Sequence, residues 1–525
     1  MSTQCLGIIY QIYPLSFKDS NGDGFGDLQG IIHKLDYLKD LGITTIWLSP
    51  IFLSPMKDFG YDIADYYSID PIFGTMKDFE NLIQETHKRE MKILLDYVPN
   101  HTSDNHPWFI ESRSSTSNPK RDWYMWKKGK GKNIPPNNWI SAFGGPSWTY
   151  DKTTDEWYLH DFLKEQPDLN WRNPEVKKEM FNVLDFYLQK GVDGFRLDAL
   201  AFLYEDPKFH DDPKNIDYDP LKQIPWDCLK RKYDFNLPEV KTLIYEIVKY
   251  VSRYPNTILL TEIYDNLAKL KDMYFSIHKT TNIPFNFDLM FLEWNAQIFM
   301  RTIDAYDKAI GPDNIPNYVL SNHDQPRIAS RVGTTKAKLL AFLQLTLRGI
   351  PIIYYGDELG MENAPISPSN MKDPLGIRVD RRFCRDPYRT PMQWNTVKYA
   401  GFSNYQPWLM VHNNYKMINV EEQIQDNSSF LYMYKSLLDY RKKSRILCNG
   451  TYQSLSLENK NIFAFMRKHN NEQCYVFLNF SDKKQHTPAP IKVGSVLFST
   501  HTKNGGKKIN SAFYLQPYEG VMIKN

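Results

Sequence analysis

Excess charge is missing from this sequence: 64 Lys and Arg face 61 Asp and Glu, a formal charge of +3 over 525 residues. A balance so small and so evenly interleaved excludes the basic footprint of a nucleic-acid or membrane-surface protein. Cysteine is scarce and scattered. Cys5, Cys228, Cys384, Cys448 and Cys474 are odd in number and form no CxxC pair, which argues against a disulfide framework or a zinc site and leads to an expectation of reduced thiols in a cytosolic protein. No stretch approaches the roughly 20 apolar residues that span a bilayer. The greasiest segment, Leu339 to Tyr355, is broken by Gln344, Arg348, Gly349 and Pro351 and reads as a buried helix followed by a buried strand. The start, MSTQCLGIIYQIYP, has no basic region ahead of an apolar one, so no secretory leader is expected and the expected compartment is the cytoplasm. The sequon Asn449-Gly-Thr451 then carries no meaning. Internal repeats and low-complexity tracts are also missing.

What is present fits a folded protein with one large core and one or two smaller domains: 42% hydrophobic and 24% charged residues in 61.8 kDa. The aromatic share of 14% is high, but by itself it signifies core filling. From Leu6 to about Arg445, short β-branched or aromatic runs alternate with helical patterns such as Leu28, Ile31, Ile32, Leu35, Leu38 and Leu41. The candidate strands are Gly7–Tyr13, Thr44–Ser49, Lys92–Val98, Val192–Leu197, Thr257–Glu262, Phe285–Leu289, Tyr318–Ser321 and Ile350–Tyr355. Eight strands alternating with helices predict an α/β fold, a (β/α)8 TIM barrel, over a doubly wound open sheet.

Two connections are too long for simple βα loops. His101 to Asn173, rich in Trp, Asn, Pro and Gly, reads as an inserted small domain after the third strand, and a second insertion runs from Gly356 to about Gln425. After a helical stretch, Ser428 to Lys443, short alternating runs (Ile462–Arg467, Cys474–Asn479, Val521–Ile523) predict a C-terminal all-β domain, a sandwich or similar. The expected boundaries are 1–100 and 174–445 for the barrel, 101–173 for the inserted domain and 446–525 for the C-terminal β-sandwich.

Catalytic groups of a barrel sit at the C-terminal ends of its strands. Those ends read Asp96-Tyr-Val-Pro-Asn100-His101, Gly194-Phe-Arg196-Leu-Asp198-Ala199, Leu260-Thr-Glu262-Ile-Tyr264 and Leu320-Ser-Asn322-His323-Asp324. One acid after an apolar run is more often a helix cap; four in register are not explained by capping. Carboxylates converging from separate strands suit glycosidic bond cleavage, in which one acid protonates the leaving oxygen and another attacks or stabilises the oxocarbenium-like carbon. Arg196 lies two residues before Asp198 and so points to the same face of its strand, where it is expected to hold Asp198 ionised. Burial is expected to raise Glu262 toward the pKa of a general acid.

DYVPNH, GFRLDAL, TEIY and LSNHD resemble the signature regions of glycoside hydrolase family 13, the α-amylase family. QPDLNW at 166–171, GYD at 60–62 and RTPMQW at 389–394 are similar to further stretches, the last of the oligoglucosidase and α-glucosidase branch. The resemblance spans essentially the whole chain. It implies Asp198 as nucleophile, Glu262 as acid/base and Asp324 as the third acid. It further implies that Asp62, His101, Arg196 and His323 hold the sugar, that Tyr61 stacks on it, and that Phe162 and Arg385 line the pocket. Isolated histidines would more often be core or cap residues; within these motifs that preference reverses.

The loop Asp19-Ser-Asn21-Gly-Asp23-Gly-Phe25-Gly-Asp27 places oxygen ligands at alternate positions, which suits a hard cation, although a polar turn would look similar. Its resemblance to the metal loop of bacterial oligoglucosidases implies a structural Ca²⁺ (or Mg²⁺) with Phe25 contributing its carbonyl. Arg378, Arg381 and Arg382 are expected in solvent, with only Arg385 near the pocket, and Lys127 to Lys132 reads as a solvent loop. Thr261 stands where many relatives of the family have Gly and Ala201 where oligo-1,6-glucosidases commonly carry Asn, and Ala199 resembles the α-1,4-acting relatives, whereas α-1,6-acting ones tend to carry Val. The expected activity is therefore a retaining α-glucosidase on maltose and short maltooligosaccharides. A glucosyl transferase or sucrose isomerase on the same scaffold is the competing enzyme class, and a non-catalytic transporter heavy chain the competing non-enzyme class. The expected partners are small α-glucosides, sucrose included, with no nucleic acid or membrane, for a monomer or homodimer.

Overall fold

The computed structural model describes residues 7–131, 133–263, 267–277, 280–501 and 506–524. Met1 to Leu6 with Cys5, Lys132 of the basic loop and Tyr264 of the TEIY motif lie outside the described residues.

Eight parallel strands curl around a common axis: β1 Ile9–Ile12, β2 Thr45–Leu48, β3 Lys92–Tyr97, β4 Gly194–Leu197, β5 Ile258–Thr261, β6 Thr280–Pro284, β7 Asn317–Val319 and β8 Ile350–Tyr354. Each pairs in parallel with its neighbour from β6 back through β1, and β1 then pairs with β8 and β8 with β7. No main-chain ladder joins β6 to β7 among the described residues. The Asn317 side chain bridges that seam, donating to the Pro284 carbonyl at 2.6 Å and accepting from the Asn286 amide at 3.0 Å.

The two-residue period of a strand divides its side chains between two cores. Ile9, Trp47, Leu94, Ile258, Leu260, Ile283, Val319 and Ile352 pack together inside the barrel. Their neighbours Ile8, Tyr10, Ile46, Ile93, Leu95, Phe195, Leu197 and Leu259 pack outward against the helices. The helix Pro174–Gln189 shows how the outer layer forms: Asn173 caps the Glu175 amide, Pro174 occupies the first turn, and Val176, Met180, Val183, Leu184 and Tyr187 are buried at helical spacing. The stripe from Leu28 to Leu41 is split into helices Leu28–Ile32 and Leu35–Leu41.

The sixth strand differs from its expected position. Phe285–Leu289 is not extended: it leads into the short helix Asp288–Phe291, and the strand is the more polar Thr280–Pro284. Its buried Asn282 is satisfied by the Thr261 hydroxyl and the Met273 carbonyl, so a polar residue that argued against a core strand is accommodated there.

The inserted segment after β3 carries a small antiparallel sheet of Trp126–Lys127, Glu156–Leu159 and Trp148–Asp151. A third long connection, unforeseen in the sequence, runs from Ala199 to Leu237 between β4 and the helix Pro238–Val251, with only short 3₁₀ turns. It packs on the inserted domain: Phe209 lies against Trp139 and Trp148, and Arg231 donates to the Ile140 carbonyl. The second insertion is also largely irregular. Helix Arg445–Asn449 crosses the expected 445/446 boundary, and the C-terminal strands begin at Thr451. They form one six-stranded antiparallel sheet in which the long strand Gln485–Ser499 shifts register as it passes between two partners. One face packs Phe463, Phe465, Val476 and Met522 into the main core, and the other closes over Ile462, Phe477, Val496 and Ile523. Among the described residues no helix is long and apolar enough to cross a membrane.

Candidate active site

The strand alternation that builds the barrel core also builds the site above it. On β3, Leu94 points inward and so does Asp96; on β4, Gly194, Arg196 and then Asp198; on β5, Ile258, Leu260 and then Glu262. A Cβ at Gly194 would meet the Ile258 carbonyl oxygen at 1.8 Å, so only glycine lets β4 lie this close to β5. Arg196, 2% exposed, is the hub. Its Nη1 bonds Asp96 Oδ1 at 2.7 Å and also Asp198, while Nη2 meets Glu262 Oε2 at 2.5 Å. Ala199, at φ 48°, turns its amide onto Glu262 Oε2 at 3.1 Å. Asp198 and Glu262 are thus joined by one guanidinium and, through Ala199, by the backbone.

Burial and Arg196 act on this cluster in opposite directions. Burial, followed by the charges of Glu262, Asp96 and Asp324, outweighs Arg196 and pushes the Asp198 pKa well above the usual carboxylate range. Asp96 is pushed up to about 6, again mainly by burial. Asp324 goes the other way: burial opposes ionisation, but the charges of Arg385, Arg389 and Arg196, with the His323 ring beside it, hold its pKa below the ordinary value. Arg385 Nη1 and Arg389 Nη2 reach its Oδ1 at 3.1 and 2.9 Å.

His323 is buried and pushed well below its usual pKa by desolvation, so it is neutral. Gln11 Nε2 donates to its Nδ1 at 2.7 Å, which places the ring proton on Nε2, facing Tyr61 Oη at 2.6 Å and Asp324 Oδ2 at 3.1 Å. Tyr61 passes the chain on, donating to Asp96 Oδ2 at 3.1 Å. His101, also pushed down by burial, to about 3, meets Gln166 Nε2 at 3.0 Å and packs on Phe162 at 5.0 Å between ring centres.

These groups surround a cavity of about 600 Å³ lined by Tyr61, His101, Phe162, Asp198, Glu262, His323, Asp324 and Arg385. Arg196 sits beneath Asp198 and Glu262 and reaches the cavity through them. Asp62 is placed elsewhere. Its carboxylate accepts from Ser54 Oγ and from the amides of Lys57 and Asp58, so it braces the loop 54–58 and does not line the cavity. Asp58 faces the cavity instead, paired with Arg385 Nη2 at 2.7 Å; Asp373 grips the same nitrogen at 2.7 Å. Asp58 and Arg389 carry no strand-end signature, and only their place in the stretches around GYD and RTPMQW could have marked them. The outer wall was equally hidden: Phe202, Trp226, Asp227 and Phe235 come from the long connection after β4, and Phe143 from the inserted domain. As expected, Arg378, Arg381 and Arg382 are exposed while Arg385 is buried.

The loop from Asp19 to Asp27 lies apart from this cavity. Asp19 accepts the amides of Gly22 and Gly24, Asp23 that of Phe25, and Asp27 those of Ser20 and Gly30. The donor set is right in kind for a hard cation, but in this arrangement its oxygens accept main-chain amides, and no three acidic, His or Cys residues converge on a metal position among the described residues. The four described cysteines are free thiols.

A parallel barrel whose strand ends bring Asp198, Glu262 and Asp324 to one cavity is suited to glycosidic bond cleavage. The chain belongs to the α-amylase family: "Alpha amylase, catalytic domain" matches residues 11–450 and "Maltogenic Amylase, C-terminal domain" residues 452–522. It is similar to the α-glucosidase of Apis mellifera (40% identity, covering 91% of this chain and 85% of the relative) and to the oligo-1,6-glucosidase of Bacillus cereus (37%, 98% of each). Among solved structures it is similar to the α-glucosyl transfer enzyme XgtA (TM-score 0.91, 34% identity, 99% of each chain). It also resembles the trehalulose synthase MutB of Pseudomonas mesoacidophila (TM-score 0.88, 33% identity, 99% of this chain and 98% of that one).

Proposed function

We propose that the protein is a retaining, exo-acting α-glucosidase that removes glucose from the α-1,4 bonds of maltose and short maltooligosaccharides. The observation that carries this reading is the single guanidinium of Arg196 spanning Asp198 and Glu262. It supports side-by-side carboxyl groups, as a double displacement needs, over the wider spacing (roughly 6.5–9.5 Å) that leaves room for an attacking water. In the first step an Asp198 oxygen bonds to the anomeric carbon, the bond to the leaving oxygen breaks, and Glu262 gives that oxygen its proton. In the second, Glu262 takes a proton from water, the water oxygen bonds to the anomeric carbon, and the Asp198 ester bond breaks. Asp324, kept ionised by its arginines, steadies the positive charge that develops on the ring in the transition state of each step. The Asp58–Arg385 pair and its Asp373 anchor support an exo mode, because they wall the end of the cavity beside Tyr61 and His323 with fixed charge.

Ala199 supports the α-1,4 preference: it lines the cavity beside both acids at a positive φ that a β-branched side chain adopts only with strain. A glucosyl transferase or isomerase is the second reading, supported by the likeness to MutB. Proton NMR of the first sugar released from maltose tests the main proposal: α-glucose is expected first, and initial β-glucose refutes retention. Product analysis at high sucrose and high maltose separates hydrolysis from transfer. We also propose that the Asp19–Asp27 loop takes Ca²⁺ (or Mg²⁺) as a structural ion, supported by its oxygen pattern; a melting temperature that neither ion raises above its value in chelator would sink this.

A further inference from the structure

The described residues also enclose a second cavity, larger than the catalytic one. A cleft of about 840 Å³ lies between the Asp19–Asp27 loop and the second insertion, and none of its lining residues also lines the catalytic cavity. Aromatic rings form much of its wall: Phe25, Tyr399, Tyr405, Trp408 and Tyr415. Tyr405 is 63% exposed, unusual for so large a ring. Polar groups are interleaved with them, and they are free. The hydroxyls of Tyr399, Tyr405 and Tyr415 and the side-chain amides of Asn370, Gln406 and Asn413 make no hydrogen bond within the protein among the described residues.

The wall is also stiff. Trp408 is fixed by its indole donating to Ser16 Oγ at 2.9 Å, its amide donating to the Gly24 carbonyl, and Phe59 at 5.1 Å between ring centres. Tyr399 and Ala400 hold consecutive left-handed conformations, φ 59° and 57°, a strained turn that persists only where its surroundings fix it. Charge is sparse and mixed: Lys372 and Lys398 against Asp23. A preformed cleft of flat apolar faces, unpaired hydroxyls and amides, and little net charge is the chemistry that receives a neutral sugar chain, whose ring faces are apolar and whose rim is hydroxyl.

We propose that this cleft is a second carbohydrate-binding site, taking a neutral oligosaccharide that is not cleaved there. The choice of an α-linked glucose chain as ligand rests on the function proposed above; the site itself does not. Trp408 joins the two places: it stacks on Tyr13 at 6.2 Å, and Tyr13 stacks on His323 at 6.0 Å.

The test is calorimetric titration of the intact chain carrying Asp198→Ala, so that maltotetraose is not turned over, with and without Tyr405→Ala or Tyr415→Ala. The expected result is a binding event weakened at least about tenfold by each ring removal, while in the otherwise unmodified enzyme the same changes leave maltose turnover and melting temperature unaltered. Maltotetraose binding that is indifferent to both tyrosines overturns the proposal, whether or not the catalytic cavity takes the sugar. So does a cleft that binds inorganic phosphate and no sugar. Failure of the wild-type enzyme to release glucose from maltose would instead sink the proposed function and leave this comparison intact, with isomaltotetraose replacing maltotetraose as the probe.

Discussion

Two buried arginine sites at opposite ends of the barrel solve opposite problems. At the catalytic end, Arg196 is surrounded by Asp96, Asp198 and Glu262, more negative charge than one cation can neutralise. At the other end, where the barrel meets the C-terminal sheet, Arg467 is fully buried and donates to the carbonyls of Thr346, Ile446, Leu447, Gly450 and Thr451. Arg441, beside it, serves the carbonyls of Leu345, Leu347 and Gly349. Burial and the charge of Arg441 push the Arg467 pKa below its usual value, whereas the acids push that of Arg196 above its own. The junction spends its cations on capping loose strand and helix ends. The catalytic mouth gathers carboxylates whose burial and charges push the pKa values of Asp198 and Asp96 up.

The largest effect should come from the nucleophile. Asp198→Ala is expected to lower kcat by at least about 10⁴-fold while leaving the melting temperature unchanged or higher, since it removes one acid from a crowded set; a clear loss of stability would break the contrast. Arg196→Met should cost about 10³-fold in kcat and also destabilise, because the remaining acids lose their shared cation. Arg467→Met should do the reverse. Orphaning buried carbonyls at about 1–3 kcal/mol each should lower stability by several kcal/mol in denaturant titrations, yet leave kcat per folded molecule unchanged.

The pH profile sharpens the same point. Because the Asp198 pKa is raised, and the nucleophile must be ionised, activity should be lost as pH falls through a value above the ordinary carboxylate pKa of about 4. An acid limb of kcat/KM at or below that value would show that Arg196 dominates after all. The smallest effect is expected from Ala199→Val: a shift of the maltose-to-isomaltose ratio of kcat/KM toward isomaltose by about tenfold, or about 1.4 kcal/mol, measured with both disaccharides on one preparation.

Most of the barrel was legible because β-branched runs ending in acids are a dense signal. β1 to β5 and β8 lie within the spans expected from sequence, and β7 overlaps its expected span but begins one residue earlier, at Asn317. β6 was not legible, because Thr280–Pro284 is polar and ends in proline while the adjacent Phe285 and Phe287 look more like a strand and are equally buried. The strand-end residues Asp198, Glu262, His323 and Asp324 come together, as their motifs predicted. Loop residues were harder. Asp58 and Asp62 are four positions apart on a loop where Met56 and Phe59 take positive φ, and only the folded turn decides which carboxylate faces the sugar and which is consumed by backbone amides. The connection after β4 escaped notice because its Pro, Asp and Lys content suggests surface, while its Phe202, Trp226 and Phe235 become cavity wall.

The seam between β6 and β7 has a consequence for how the molecule breathes. The ring of main-chain pairing is continuous from β6 round to β7, and the seam is closed by side chains: the amide of Asn317, and Arg331, which donates to the Met290 and Leu320 carbonyls. A cylinder closed along one margin by side chains and not by a main-chain ladder opens there first, so amide exchange at the β6–β7 margin should outpace that of β2, β3 and β4. Asp324 lies shortly after β7 and Glu262 directly after β5, so this margin of the wall runs between two of the carboxylates of the cavity. Thermal fluctuation along that line would change the width of the catalytic mouth without unfolding a strand, giving the enzyme a built-in expansion joint at the place where leaving sugars must pass.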